Sequence, residues 1–343
     1  MPPAAAPRAA AGEGASARQV VAAIDLGTNN CRLLIARPVG DSFVVIDAFS
    51  RVVRLGEGLA QTGRLSDAAM ERALAALRVC ADKLRRRNVH VARSVATEAC
   101  RRAANGADFV ARVRAETGIV LDIISAREEA RLAVLGCHAL LEEGEGPALI
   151  FDIGGGSTEL VLIDGAADPQ ILDWVSVPWG VVSLSETSGP EGLSEAERQE
   201  RYDAMRMLVS ESFADFAERV SGYALTADRL LGTSGTVTTL ASVHLDLPQY
   251  DRNTVDGVIV PAEGMRAIAA RLAALPIELR RELPCIGRER ADLVVAGCAI
   301  LESILDLWPA DRLGVADRGI REGILRGLLG GRVAAPARAR TPK

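Results

Sequence analysis

The sequence predicts an α/β protein of two domains that open on the same plan, and three observations carry that prediction. The stretches "VAAIDLGTNNCRLLIA" (Val21–Ala36) and "ALIFDIGGGSTELVLID" (Ala148–Asp164) share one order of parts: apolar run, Asp, glycine turn, apolar run. After each of them, short apolar runs of strand length alternate with stretches of helical period, as expected of sheets flanked by helices. The chain has 343 residues, 49% of them hydrophobic, which is enough for two cores at roughly 100 to 200 residues per domain.

In the first domain, Val20–Ile24 and Cys31–Ala36 read as strands joined by the Gly-Thr-Asn-Asn turn, and Phe43–Phe49 as a third strand of an antiparallel meander. Met70, Leu74, Leu77, Ala81 and Leu84 then keep the helical period, with Ser66 as N-cap and Arg85–Arg87 in the last turn, where cations suit the helix dipole. His90–Ala96 reads as a strand, Thr97–Gly118 as a helical stretch, Ile119–Ser125 as a buried strand, and Ser125–Glu143 as a helix. The run "GEGP", Gly144–Pro147, marks the boundary between domains at 19–143 and 144–330. Beyond it the pattern restarts with strands at Ala148–Ile153 and Glu159–Ile163, a turn at Gly154–Ser157, and a third strand near Asp173–Val177. The Pro-, Ala- and Arg-rich ends, 1–18 and 331–343, read as disordered tails.

Composition excludes several classes of function. A net charge of -5 speaks against nucleic-acid binding, which needs a basic footprint to displace counterions. No apolar run approaches a membrane span and the N-terminus lacks the core of a signal peptide, so a cytoplasmic protein is expected. The six cysteines are scattered singly and read as buried free thiols, and His90, His138 and His244 as packing residues. The series Leu293, Ala296, Gly297, Ile300 and Ile304 reads as a buried helix face whose small residues suit close packing or a homodimer contact.

The glycine turns carry the chemistry. A dinucleotide fingerprint or P-loop opens directly into a helix, whose free N–H groups receive phosphates. Here both turns run into strand-like "CRLLIA" and "TELVLID", so they are hairpins. Such a hairpin still offers a row of backbone N–H groups as a nest for an anion. An Asp before each turn, Asp25 and Asp152, suits phosphate when a divalent cation lies between them. Two such hairpins facing across a cleft would grip a polyphosphate. A third loop differs: "LLGTSGTVTTLASV" runs from a strand ending at Leu231 through Gly232, Ser234 and Gly235 into a helix beginning near Val237. Phosphate contact at that helix N-terminus and simple N-capping by Ser or Thr explain it equally.

Together with "ATEACRRA", "ISAREEARL", "ERADLVVAGCAILESIL" and "VADRGIREGIL", these motifs resemble, in order, the exopolyphosphatase and guanosine pentaphosphate phosphohydrolase family, from Val20 to Leu329. That family belongs to the superfamily of sugar kinases, actin and heat-shock ATPases. The resemblance implies two ribonuclease-H-like domains with an active site in the cleft between them, and hydrolysis of a terminal phosphoanhydride. It places the catalytic Glu on Glu129 and a phosphate-contacting Arg on Arg101. The phosphate-binding loops fall on Asp25, Gly27, Thr28, Asn29 and Asn30, and on Gly154, Gly155, Gly156, Ser157 and Thr158.

Between the two candidate glutamates the local sequence helps: Ser125 followed by Glu128 reads as a capping box, which occupies Glu128 and leaves Glu129 for a water. Mg²⁺ (or Mn²⁺) is the implied cofactor, held first by Asp152, with Glu129, Glu159 and Asp25 supporting. The implied substrate is polyphosphate or guanosine pentaphosphate. A kinase-type phosphotransferase and a non-hydrolytic sensor of guanosine penta- or tetraphosphate are the competing readings. The chain departs from the family pattern at Asn30 (usually Ser or Thr) and Ala126 (usually Gly), and lacks the helical C-terminal region of longer relatives. Arg252, Arg288 and Arg290 read as solvated surface arginines, with an anion track as the alternative.

Overall fold

A computed structural model describes residues 19–330 apart from 41, 167, 192, 193 and 224–228; the expected tails lie outside the described residues. The first meander forms as β1 (Val21–Leu26), β2 (Asn30–Val39) and β3 (Ser42–Val52), all antiparallel. Strands β4 (Val91–Ala96) and β5 (Leu121–Ile123) join in parallel, giving the order β3-β2-β1-β4-β5. The second sheet contains β6 (Ala148–Ile153), β7 (Thr158–Ile163), β8 (Ile171–Val177), β9 (Leu230–Thr233), β10 (Ile259–Pro261) and β11 (Arg312–Ala316). Its order, β10-β11-β9-β6-β7-β8, repeats the first plan as β8-β7-β6-β9-β11 with one antiparallel strand added at the edge. The ribonuclease-H-like plan therefore occurs twice, and the two glycine hairpins, β1–β2 and β6–β7, hold the same place in each sheet.

Helix α1 (Asp67–Arg86) starts as its sequence predicts, with Ser66 Oγ accepting from the Ala69 N–H at 3.2 Å. The helical stretch expected over Thr97–Gly118 is instead two helices, α2 (Glu98–Arg102) and α3 (Gly106–Thr117). Buried Asn105 fixes the break, its side chain accepting from Leu65 N–H at 2.8 Å and donating to Leu65 O at 3.0 Å. Strand β5 is also shorter than expected and lies at the sheet edge, where Val120 just before it is 62% exposed. The other longer helices are α4 (Ala126–Cys137), α5 (Val181–Thr187), α6 (Glu195–Val220), α7 (Gly235–His244), α8 (Ala262–Ala274), α9 (Val294–Leu307) and α10 (Ile320–Leu328).

The layers explain why the central strands are apolar on both faces. One face of the first sheet (Ala22, Ile24, Leu33) packs on α1 and α3, and one face of the second (Leu149, Phe151, Leu160) on α6 to α9, where the expected buried face of α9 is found. The opposite faces share a helix pair. Ala130 and Val134 of α4 pack on Ile150 and Val161, while Leu132 of α4 with Ile324 and Leu325 of α10 packs on Val21, Ala23 and Leu34. The pair crosses at glycines: a Cβ on Gly136 would lie 2.0 Å from Gly319 O, and one on Gly323 2.0 Å from Leu132 O. The boundary at Gly144–Pro147 thus divides the sheets but not the helices, because α10 returns from the far end of the chain to the first sheet. Among the described residues no helix is long and apolar enough to cross a membrane, and all six cysteines are free, five of them buried.

Candidate active site

The two hairpins are built alike and meet. Gly27 N–H donates to Asn30 O at 2.9 Å and Gly154 N–H to Ser157 O at 3.0 Å, so each turn closes on its own first glycine. The N–H groups of Thr28, Asn29, Gly155, Gly156 and Ser157 donate to no group among the described residues. The second loop lies directly on the first: a Cβ on Gly155 would stand 3.0 Å from Asn29 N, and one on Gly156 2.6 Å from Thr28 Oγ1. Only glycine allows backbones this close.

Each loop is held from behind. Asn29 O accepts from Val53 and Arg54 at 2.8 and 3.0 Å, and Thr28 O from Gly56 at 2.9 Å. Gly154 O and Gly155 O accept from Val181 and Val182, the first residues of α5, at 3.0 and 2.8 Å, while Ser183 Oγ donates to Gly156 O at 3.0 Å. Gly180, which precedes α5, packs against Gly155, where a Cβ would come within 2.4 Å of Gly155 C. Sequence reasoning passes over this "PWGVVS" segment, because a single glycine before a helix reads as an ordinary start.

The cleft between the sheets is lined by Asp25, Gly27, Thr28, Asn29, Asn30, Glu129, Asp152, Gly154–Ser157, Glu159, Ser234 and Gly235, all expected, and by Arg32, Glu98 and Arg290, which were not assigned to it. Arg32 had a legible signal: it pairs in register with Asp25, as Glu159 pairs with Asp152, so aligning the two hairpins sets a cation opposite a carboxylate. Arg290 is the one arginine of the suspected track that reaches the cleft. Arg252 is instead tied to Asp317 and Glu322 at 3.0 and 2.9 Å, and Arg288 is exposed.

Two expected phosphate contacts fall elsewhere. Gly232 belongs to β9, where a Cβ would lie 2.4 Å from the Phe151 ring, so it is a packing glycine. Thr158 is fully buried and donates its hydroxyl to Trp179 O at 2.6 Å. Helix α7 starts at Gly235, two residues earlier than expected, and Ser234 makes no side-chain cap; it holds a φ of 82°, a strained conformation for a residue with a Cβ.

Glu129, 7% exposed, projects into the cleft from the first turn of α4. Half of the expected capping box is present: Ser125 Oγ accepts from Glu128 N–H at 3.2 Å, but the Glu128 carboxylate turns to Arg93 and Arg131, both at 2.8 Å, rather than to Ser125. Arg101 stands beside Glu129 rather than at the loops. Its Nη1 donates to Glu129 Oε2 at 3.0 Å and Ile124 O at 2.8 Å, and its Nε to Glu98 Oε2 at 3.0 Å.

Five carboxyls line this cleft, and at Asp25, Glu129, Asp152 and Glu159 burial is the leading cause of a raised pKa. Asp25 is pushed up to about 6 by burial, tempered by Arg32 and Arg321; Glu159 rises to about 7 by burial and by Asp152. Asp152 is raised by burial, with Ser234 and Arg32 opposing. Glu129 is raised well above the carboxylate range by burial and by Glu159, against the pull of Arg101.

Asp25 Oδ1 and Asp152 Oδ1 are buried with no hydrogen-bond partner among the described residues. Such orphaned oxygens are costly unless a cation or donor meets them, and hard carboxylate oxygens fit Mg²⁺. The expected set of Asp152, Glu129 and Glu159 does not gather as a closed cluster: among the described residues no three acidic, His or Cys side chains form a group able to hold a metal. Glu159 is taken by Ser176 Oγ at 2.7 Å and Glu129 by Arg101. The carboxylates with an oxygen left over for such an ion would therefore be Asp25 and Asp152.

Known proteins agree with this architecture. A solved Ppx/GppA family member of Aquifex aeolicus is 29% identical over 91% of this chain and 97% of its own, with a TM-score of 0.72. An exopolyphosphatase-like protein is 31% identical over 89% of this chain and 97% of its own, with a TM-score of 0.79. An exopolyphosphatase from Cytophaga hutchinsonii, 24% identical over 92% of this chain and all of its own, shares the fold at a TM-score of 0.80. The model of the Ppx/GppA phosphatase family matches residues 34–331, and the chain belongs to that family.

Proposed function

We propose that the protein is a Mg²⁺-dependent phosphohydrolase that removes the terminal phosphate of inorganic polyphosphate or the 5′-phosphate of guanosine pentaphosphate. One observation carries the reading: two facing nests of unpaired N–H groups stand over two buried carboxylates with orphaned oxygens and beside a buried, raised-pKa glutamate. Nests of this kind bind anions, and a poised carboxyl is what general-base chemistry asks for. Phosphoryl transfer needs positioning and charge neutralisation more than covalent chemistry.

In this reading the N–H groups of Thr28, Asn29 and Gly155–Ser157 hold the terminal phosphoryl group. Arg32 and Arg290 neutralise charge on the chain behind it, and Arg101 orients Glu129. Glu129 takes a proton from a water as the water oxygen bonds to the terminal phosphorus; the bridging P–O bond breaks and its electron pair leaves with the shortened chain. Asp25 and Asp152 would hold Mg²⁺, which supplies charge neutralisation at the phosphate oxygens.

The test is phosphate release from short polyphosphate, long polyphosphate, guanosine pentaphosphate and ATP, with and without Mg²⁺. Release to water from at least one, dependent on Mg²⁺, is expected. Transfer to an acceptor would indicate a kinase, and tight binding with no release a sensor; either would overturn the proposal.

A further inference from the structure

Behind the two nests run two backing segments, and they are tied to each other across the two halves of the chain. Residues 53–58, which follow β3, hold the first loop: the N–H groups of Val53 and Arg54 donate to Asn29 O, and Gly56 N–H to Thr28 O. Helix α5 holds the second loop through the N–H groups of Val181 and Val182. From the first segment the Arg54 guanidinium reaches 238 positions along the chain to Asp292 in a two-point pair. Its Nη1 donates to Oδ2 at 2.8 Å and its Nη2 to Oδ1 at 3.2 Å, while Glu289 O accepts from Nη2 at 3.3 Å. Asp292 is also joined to α5, its carbonyl accepting from Ser185 Oγ at 3.3 Å. A second strut, Gly58 N–H to Glu186 Oε1 at 2.9 Å, links the first segment to α5 directly.

These bonds close a ring that runs from the first loop through Arg54, Asp292 and α5 to the second loop. Among the described residues that line the cleft, Arg290, Leu293 and Val294 flank Asp292, but neither Arg54 nor Asp292 is one of them. The pair therefore acts on the site through what it holds. Arg54 has a φ of 47°, a left-handed backbone that glycine adopts more cheaply, yet glycine has no side chain to span the gap. With side chains 35% and 34% exposed, the two groups stay partly hydrated, so removing one does not strand a buried charge.

We propose that Arg54 and Asp292 are positioning residues that hold the two phosphate nests at the spacing at which both grip one phosphoryl group. The assignment rests on the phosphohydrolase reading for the reaction it serves. It adds two residues outside the cleft on which substrate affinity depends.

The experiment measures KM, kcat and melting temperature for the wild type, Arg54→Met, Asp292→Ala and the double variant, on whichever of short polyphosphate, long polyphosphate and guanosine pentaphosphate the wild type hydrolyses. A partly exposed ion pair biases an arrangement by up to about fivefold, and apparent affinity falls with the fraction of molecules in the competent arrangement. KM is therefore expected to rise about fivefold in each single variant, equally for every substrate, with kcat within about twofold of wild type. The double variant should be no worse than either single one, because both remove the same bond. If Arg54 met the substrate itself, freeing it in Asp292→Ala would lower KM. A KM that is lowered or unchanged in Asp292→Ala, or single effects that multiply in the double variant, overturns the assignment; so does a lowered melting temperature with KM unchanged, the mark of a merely structural pair.

Amide hydrogen exchange of residues 53–58 reads the ring without any hydrolysis. In Asp292→Ala these amides, carried by the other half of the chain, should exchange about fivefold faster than in the wild type. Unchanged exchange overturns the ring whether or not phosphate is released. Faster exchange with no release from any substrate sustains the ring and overturns the phosphohydrolase reading alone.

Discussion

Asp25→Asn is expected to make the cation-free protein more stable and, at the same time, inactive. The carboxyl of Asp25 is raised from 3.8 to about 6, chiefly by burial. At pH 8 it is ionised in both folded and unfolded chains, so the folded state carries the whole shift. That is about 3 kcal/mol at 1.36 kcal/mol per unit, an upper figure, because part of the residue opens on the cleft. The sign follows from the raised value: the stability contributed by the protonated carboxyl is present below about 4 and lost as pH rises through about 6. Replacing the carboxyl by the amide removes this penalty, and its advantage should grow from about 1.5 kcal/mol at pH 5 to about 3 kcal/mol at pH 8. Denaturant unfolding in EDTA at both pH values reads the difference directly, and Mg²⁺ should then stabilise the wild type more than the variant. A variant less stable than wild type at pH 8, or a difference that does not shrink toward pH 5, would refute the reasoning.

Glu129→Gln should lower turnover by roughly a hundredfold or more while leaving KM near the wild-type value, as loss of a general base does; steady-state phosphate release checks it. Because the Glu129 carboxyl is raised and must be ionised to act, kcat should fall with acidity at a pH above the ordinary carboxylate range. Arg101→Met, removing the cation that opposes this shift, should move that limb further toward alkaline pH. In Gly323→Ala the added methyl meets the Leu132 carbonyl at 2.0 Å. The roughly 1 kcal/mol of better helix propensity is outweighed by overpacking of about 1–3 kcal/mol or more, and a lowered melting temperature is expected. Ser234→Gly releases a φ of 82°, a strain relief of about 1–3 kcal/mol, but it costs about 0.5–1 kcal/mol of glycine entropy and removes the hydroxyl that holds down the Asp152 carboxyl, a bond worth about 1.5–3 kcal/mol; no net gain is expected in denaturant melts.

Much of this protein is local, and what is local was legible. The echo of Asp25 in Asp152, the hairpin nature of both turns, the Ser66 cap and the strand order within each meander follow from spacing alone, because hydrogen bonds between chain neighbours impose them. The placing of Glu129 rather than Glu128 in the cleft agrees with the reading, yet Glu128 is occupied by Arg93 and Arg131, not by the reciprocal cap. Gly232 and Thr158 show the opposite failure. Each sits within a glycine- and hydroxyl-rich motif, but what it touches, the Phe151 ring or Trp179 O, lies far along the chain.

The sequence by itself therefore determined two like sheets, each with a glycine hairpin, and the acidic residues those hairpins carry. Only the tertiary structure decided that the hairpins lie loop on loop, that Arg32 and Arg290 supply the cleft's cations, and that α10 returns to the first sheet to cross α4 at Gly136 and Gly323. The physical reason is reach: turns and caps are set by groups a few residues apart, whereas burial, charge pairing and orphaned oxygens depend on which surfaces the two halves press together.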